Sequence, residues 1–351
     1  MNMRERLLAV VQGREHDRVP FVQYHNIAAP DEEIWAVIGR ENMGTLHWCT
    51  TYDFDLGESR YEIVNIERNG LRGIATTIHT PLGKLSQEQF YDPALGSLAT
   101  REHFVKDPDD YRILAGYLRG LTVVEYPDGL RDVLAAAGDD GLPHLSVPRT
   151  PFQQMWIQWV SLEDLCVHLH EYPDIVTECL DLLGRQLREV FQIVRKANVP
   201  YVVVPDNITA PAIGERYFRQ YCLPYYQELA DIMAERDIPV YVHADGDLKP
   251  LWPAISESKL RGLDSLSPPP DNDTSAEEAA AMWPEMRLCV NFPSSGHLAS
   301  PEKVYETAME ILRQAGHTGR LQIQISENVP PGVWKTSYPA IVRAIADFGK
   351  P

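Results

Sequence analysis

The sequence predicts an α/β fold: a single (β/α)8 TIM barrel over residues 1–351, with a β-rich hairpin elaboration at 51–92 near its mouth. Three observations carry that expectation. From residue 144 onward, apolar runs of about five residues alternate with helical stretches of about 10–20, the rhythm of βαβ units and a parallel sheet. The segments where strands hand over to helices read PDNITAP, HADGD, SPPPDND, NFPSSGH and SENVPPG. Polar loops in those places are what a barrel gathers at its catalytic rim. No GxGxxG or Walker sequence occurs, so the phosphate fingerprint of a doubly wound sheet is missing.

Taken in order, residues 4–11 form a short amphipathic helix, and VPFVQY (19–24) reads as the first strand. Residues 31–40 look helical. Between 51 and 92, polar and apolar residues alternate between Gly and Pro turns, which is the signature of hairpins. Nothing from 93 to 143 repeats internally, and Asp107-Pro108 opens another helical patch. HLSVP (144–148) is a strand, followed by a long helical region at 161–196 broken near Pro173. Strands are then expected at 201–205, 238–242, 262–266, 287–292 and 320–325, with helices at 214–235, 248–258, 274–282, 301–314 and 337–348.

A formal charge of −18 argues against nucleic-acid binding, which needs a basic face, and against an anionic membrane surface. Anionic small molecules remain open, since local groups bind them. The five cysteines are scattered and form no CxxC, a pattern of a reducing compartment rather than a disulfide framework. The charged first helix is not a signal peptide, and no run approaches the roughly 18 apolar residues of a membrane span. A soluble cytoplasmic protein is expected.

The chemistry concentrates at YVHADGD (241–247), where an apolar strand ends in His243 and Asp245. Side chains two apart on a strand share a face, so the two are placed as metal ligands or as an acid/base pair. Asp206 and Asn207 end the preceding strand as candidate catalytic residues that orient substrate; Asn207 equally suits a helix cap. Asn291, before a Pro/Gly loop, is a candidate substrate-binding residue or a turn former. His168 and His170 do not share a helix face and are expected at the surface. Cys289 is expected in the core, as are Met155, Trp156 and Trp159, unless they wall a ligand.

These pieces in this order resemble the uroporphyrinogen decarboxylase (URO-D) superfamily, which also holds corrinoid-linked methyltransferases. RERLLAVVQGREHDRVPF resembles its opening helix and first strand. PDNITAP, HADGDLKPLWPAI, GLDSLSP, RLCVNFPSSG and ISENVPP fall in order where its last five strands end. The decarboxylases carry an arginine pair after the first strand to clamp substrate carboxylates; here QYHNIAAP (23–30) has none, and Tyr24 and His25 stand in its place as substrate-binding candidates. The thiol-directed methyltransferases bind zinc through His-x-Cys and a later cysteine. The matching positions here are His243, Asp245 and Glu327, a histidine kept and two thiolates replaced by carboxylates.

The resemblance therefore implies a divalent metal on His243, Asp245 and Glu327, with zinc first and iron, manganese or cobalt admitted by the harder ligand set. It implies a methyltransferase that works between a small substrate and a corrinoid carried by a partner protein, in a homodimer. The alternatives are a cofactor-free decarboxylase of a tetrapyrrole or polycarboxylate, and a non-catalytic corrinoid- or metabolite-binding protein. A metal-free His243–Asp245 pair also remains open.

Overall fold

Eight short runs of largely apolar residues become parallel strands: β1 (Phe21–Tyr24), β2 (Gly44–Cys49), β3 (Gly141–Ser146), β4 (Val202–Val204), β5 (Val240–His243), β6 (Gly262–Leu266), β7 (Arg287–Asn291) and β8 (Leu321–Ile325). They close in chain order, with β8 returning to pair with β1. The computed structural model describes residues 1–93, 97–327 and 329–351, so Asn328 of the ISENVPP motif lies outside the described residues. The expected TIM barrel is the fold. Seven of its strands were expected; GTLHWC, the eighth, was not. Its leading glycine weakens the strand signal and its residues do not alternate cleanly, so parallel pairing with β1 and β3 fixes the conformation. β3 starts at Gly141 rather than at residue 144 and includes Pro143, a residue that normally argues against an interior strand.

The chain resolves into two compact units. The first comprises Met1–Thr51, Pro127–Val147 and Arg195–Pro351 and contains the whole barrel. Its floor is α1 (Met3–Gln12), which Asn2 and Glu5 start as a reciprocal capping box. Gly13 ends it in the left-handed conformation at φ 66°. Met3, Leu7 and Val11 lie on one stripe of α1 and join Val22, Tyr24, Leu46, Leu142, Tyr201, Val203, Tyr241 and Cys289 in one buried cluster. Burying such side chains contributes about 1.5–3 kcal/mol each. Gly44 is required at this floor, because a Cβ there would lie 2.4 Å from Met3 Cγ. Arg4 donates to the carbonyl of Gly141, and Arg287 Nε to that of Val10, tying the helix to the strand beginnings.

The second unit comprises Tyr52–Tyr126 and Pro148–Val194. Its four-stranded antiparallel sheet runs Arg60–Arg68, Leu71–Thr80, Gly83–Asp92 and Ser97–Glu102, so the expected hairpins are present and extend past residue 92. Asn69 and Gly70, both at positive φ, make the two-residue turn of the first hairpin. The sheet meets helix Pro108–Gly120, where the Tyr61 and Tyr117 hydroxyls are 2.8 Å apart. His168 is buried here, its Nδ1 3.3 Å from the Tyr111 hydroxyl, and so is not the surface residue expected. Tyr111 of the neighbouring helix and Tyr172 at the end of its own helix flank the ring.

All five cysteines are free thiols, and Cys289 is buried as expected. Among the described residues, no helix is long and apolar enough to cross a membrane.

Candidate metal centre

β5 is buried along its whole length and delivers His243 at its end, paired with Asp264 of β6. Beyond it the loops after β4 and β5 run side by side. Ile208 N–H donates to the His243 carbonyl and Gly246 N–H to that of Ile208, at 3.2 Å each. Gly246 is needed for this approach, since a Cβ would lie 2.8 Å from Thr209 Cα. The paired loops hold Asp245 beside His243, with Asp245 Oδ2 3.4 Å from His243 Nε2. Asn207, held at φ 51°, donates its side-chain amide to Asp245 Oδ2 at 3.1 Å.

Glu327 arrives from the far side of the closed sheet, two residues past β8. Asn291 of β7 accepts the Ser326 N–H at 3.0 Å and so sets the exit angle of that segment. One ligand atom each of His243, Asp245 and Glu327 lies within 4.8 Å of the others. The three residues singled out for a metal therefore converge.

Behind them lies a layer of which the sequence analysis singled out only Tyr24. Asp264 is 1% exposed, and its Oδ2 accepts the Tyr24 hydroxyl at 2.6 Å and stands 3.1 Å from His243 Nδ1. Gln324 Nε2 donates to Asp264 Oδ1 at 3.0 Å and to Ser265 Oγ at 2.8 Å. His144 Nε2 lies 3.4 Å from the same carboxylate as an electrostatic contact, and its Nδ1 is 2.8 Å from the Tyr201 hydroxyl. Trp48 packs edge-on against Tyr24 and His144, with ring centroids 5.2 and 4.4 Å apart. These contacts join β1, β2, β3, β5, β6 and β8 and cross the barrel interior. A signal existed for them: Asp264 is a carboxylate at the middle of GLDSL, and Gln324 lies two residues from Gln322 in LQIQI, polar side chains on the period-2 positions of the inner face.

The electrostatics follow. Burial opposes charge on His243, but the carboxylates of Asp245 and Asp264 outweigh it and raise its pKa to about 10. Burial also opposes charge on Asp264, yet His144 and His243 hold its carboxyl well below the usual range. Asp245 is lowered as well, burial again being overcome by His243. Glu327 is raised, first by burial and then by the charge of Asp245. A carboxyl raised by burial and by a like charge is a group that a cation would relieve.

This arrangement predicts a pH signature for metal-free protein. A histidine raised from about 6.5 to about 10 on folding adds stability that is complete below the lower value and lost as pH rises through the higher one. The melting temperature of chelator-treated protein should fall across that window. A divalent ion must displace the proton on Nε2, so metal affinity should rise over the same range. A flat melting profile would show that His243 is not held in its charged form.

The other expected residues are placed as follows. Tyr24 belongs to the Asp264 layer. Asp206 is fully buried and accepts the Tyr226 hydroxyl. Asn291 is 1% exposed, with its amide 3.4 Å from Ser267 Oγ, and ties the ends of β6, β7 and β8. His25 stands apart from His243, Asp245 and Glu327. It stacks on His47 at 4.2 Å between centroids, and its Nδ1 is 2.6 Å from Asp31 Oδ2. Burial, with His25 adding to it, pushes the His47 imidazole down to about 4.

The family described as uroporphyrinogen decarboxylase (URO-D) matches residues 156–348, more than half of the chain. No curated protein matches the chain in sequence. Among solved structures, a methyltransferase from Methanosarcina mazei is similar at 14% identity, with 99% of each chain covered and a TM-score of 0.58. A B12-independent methionine synthase from Shewanella sp. W3-18-1, in complex with selenomethionine, is similar at 12% identity, over 90% of this chain and 84% of that one, with a TM-score of 0.46. At these identities the likeness concerns the fold.

Proposed function

We propose, for a chain that belongs to the uroporphyrinogen decarboxylase family, a metal-dependent methyl transfer between a small substrate and a corrinoid carried by a partner protein. The convergence of His243, Asp245 and Glu327 within 4.8 Å carries the reading. The donor set fits a divalent ion. Asp264 stands on the Nδ1 side of His243, which leaves Nε2 facing Asp245, the arrangement in which a carboxylate orients a ligating imidazole. Three protein ligands leave a position for substrate, as a catalytic zinc site requires. Two carboxylates and one neutral imidazole balance a 2+ charge, so a neutral or anionic substrate group completes the set.

When bound, a divalent ion supplies Lewis acidity, lowering the pKa of a thiol, hydroxyl or water and withdrawing charge from a leaving group. The chain's own residues do the rest. Asp264, braced by Gln324 and Tyr24, keeps the proton on His243 Nδ1. Asn207 aims the Asp245 carboxylate, and Asn291 positions the segment bearing Glu327. Asp206, bound to Tyr226, supports the turn from which Asn207 projects. Zinc is the first metal to test. A homodimer belongs to the same proposal and is read by sedimentation.

The decarboxylase alternative shares the family, but QYHNIAAP offers no arginine to hold several carboxylates. The test supplies zinc-loaded protein with free methylcobalamin and a panel of small thiols. The methyl group leaves cobalt as a cation equivalent for the thiolate, giving a thioether and cob(I)alamin, and the corrinoid spectrum reports it anaerobically. The same protein is assayed for carbon dioxide release from uroporphyrinogen. Zinc-dependent demethylation without decarboxylation is the expected result. Decarboxylation without demethylation overturns the proposal, as does tight corrinoid binding with no turnover that Glu327→Gln leaves unchanged.

A further inference from the structure

We propose a second transition-metal site, formed by His25, Asp31 and His47 on the barrel wall. Its ligand atoms, one from each residue, lie within 4.8 Å of one another. Two imidazoles and one carboxylate make the donor set that takes zinc or iron(II) with open positions left over.

The fold assembles this trio from three elements. His25 is the first residue after β1, and its N–H donates to the Leu46 carbonyl at 3.0 Å. Tyr24 pairs with Leu46, so the next residue along each chain brings His25 beside His47 of β2. Tyr24 and Leu46 belong to the buried interior cluster, and alternation turns His25 and His47 to the opposite face. There they meet Asp31, the first residue of α2 (Asp31–Ile38), the helix that connects the two strands.

Two of the three ligands are already fixed. Asp31 is 4% exposed; its Oδ1 accepts the Gln23 amide and the Asn26 N–H, which leaves Oδ2 toward the histidines. Asn26 Oδ1 returns a hydrogen bond from the Asp31 N–H at 2.9 Å. His47 is 7% exposed, with Nε2 2.8 Å from Thr45 Oγ1. Such partners are the outer shell by which proteins orient ligands. His25, with 47% of its side chain exposed, is the entry side. The rings stack within 22° of parallel, so the exposed ring must turn for both nitrogens to face one ion. A proton between His25 Nδ1 and Asp31 Oδ2, 2.6 Å apart, gives way to the ion. The ion would clamp the end of β1 to α2 and β2, directly beside Tyr24, whose hydroxyl reaches Asp264 and His243.

The experiment uses the full chain, stripped with chelator and titrated with zinc by calorimetry, with elemental analysis after dialysis against micromolar zinc. The barrel-centre variant Asp245→Ala/Glu327→Ala should retain one equivalent. Adding His25→Ala, a change at an exposed side chain, or Asp31→Asn should remove it. Thr45→Val should weaken it about 10–100-fold. In the Asp245→Ala/Glu327→Ala background, cobalt(II) should give ligand-field bands that His47→Ala abolishes. The proposal is overturned if that background binds no zinc at micromolar concentration, or if its equivalent survives both His25→Ala and Asp31→Asn. Failure of the barrel centre reads differently: wild type would then hold a single equivalent that is lost with His25→Ala and kept with Asp245→Ala/Glu327→Ala.

Discussion

Asp245→Ala and Glu327→Ala should each abolish tight divalent-metal binding at the barrel centre and any turnover that depends on it, while the barrel stays folded. Each removes one of three donors, and neither residue lies within a strand. In the metal-free protein Asp245→Ala and the neutralising variant Glu327→Gln should differ, which makes that pair diagnostic. Asp245 is lowered by His243 and hydrogen-bonded to Asn207, so its loss strips a partner from a charged imidazole and lowers the melting temperature. Glu327 is raised by burial and by Asp245, so Glu327→Gln relieves an unfavourable charge and should leave the melting temperature equal or higher. Metal analysis and calorimetry on the same samples read both effects. If both variants keep full occupancy, the ligands are elsewhere and the methyltransferase proposal loses its support.

Asp264→Asn should have the largest effect on stability. Its carboxylate is the common acceptor for Tyr24, His243 and Gln324 and the counter-charge to His144, all in the barrel interior. Removing one member of a buried charge set leaves the others uncompensated and costs about 3–5 kcal/mol. Metal affinity should fall by about 10–100-fold as His243 loses its orienting partner. The loss of stability between about 6.5 and about 10 should shift toward lower pH, because one of the two carboxylates that raise His243 is gone. A variant that merely loosened the core would lower stability without moving that window. Unchanged metal affinity would show that Asp264 does not act through His243.

Much of this centre was legible because it is local. HADGD places an imidazole and a carboxylate two residues apart at a strand end, and the structure keeps them 3.4 Å apart. Glu327 is 82 residues further along; only an ordered family resemblance pointed to it. Asp264 was visible as a carboxylate inside GLDSL, but nothing in that stretch says that four other strands bring partners to it. Tyr24 and His25 are adjacent in sequence, and the strand separates them: one joins the interior layer and the other stacks on His47. GTLHWC, the strand that carries His47, has no clear strand signal of its own, so the second trio has no sequence signature.

The sequence by itself determined the alternation of strand and helix, the polar loops at strand exits, the hairpins around Asn69-Gly70 and the His243–Asp245 pair. Each of these depends on residues within a turn or two of one another, where periodicity and turn chemistry act directly. Only the tertiary structure decided which side chains meet across the barrel. Closure of β8 onto β1 brings Glu327 to Asp245, Gln324 to Asp264 and Tyr24 to His243. Those contacts exist because eight staggered strands enclose one interior, a constraint on the closed sheet as a whole that no single strand carries.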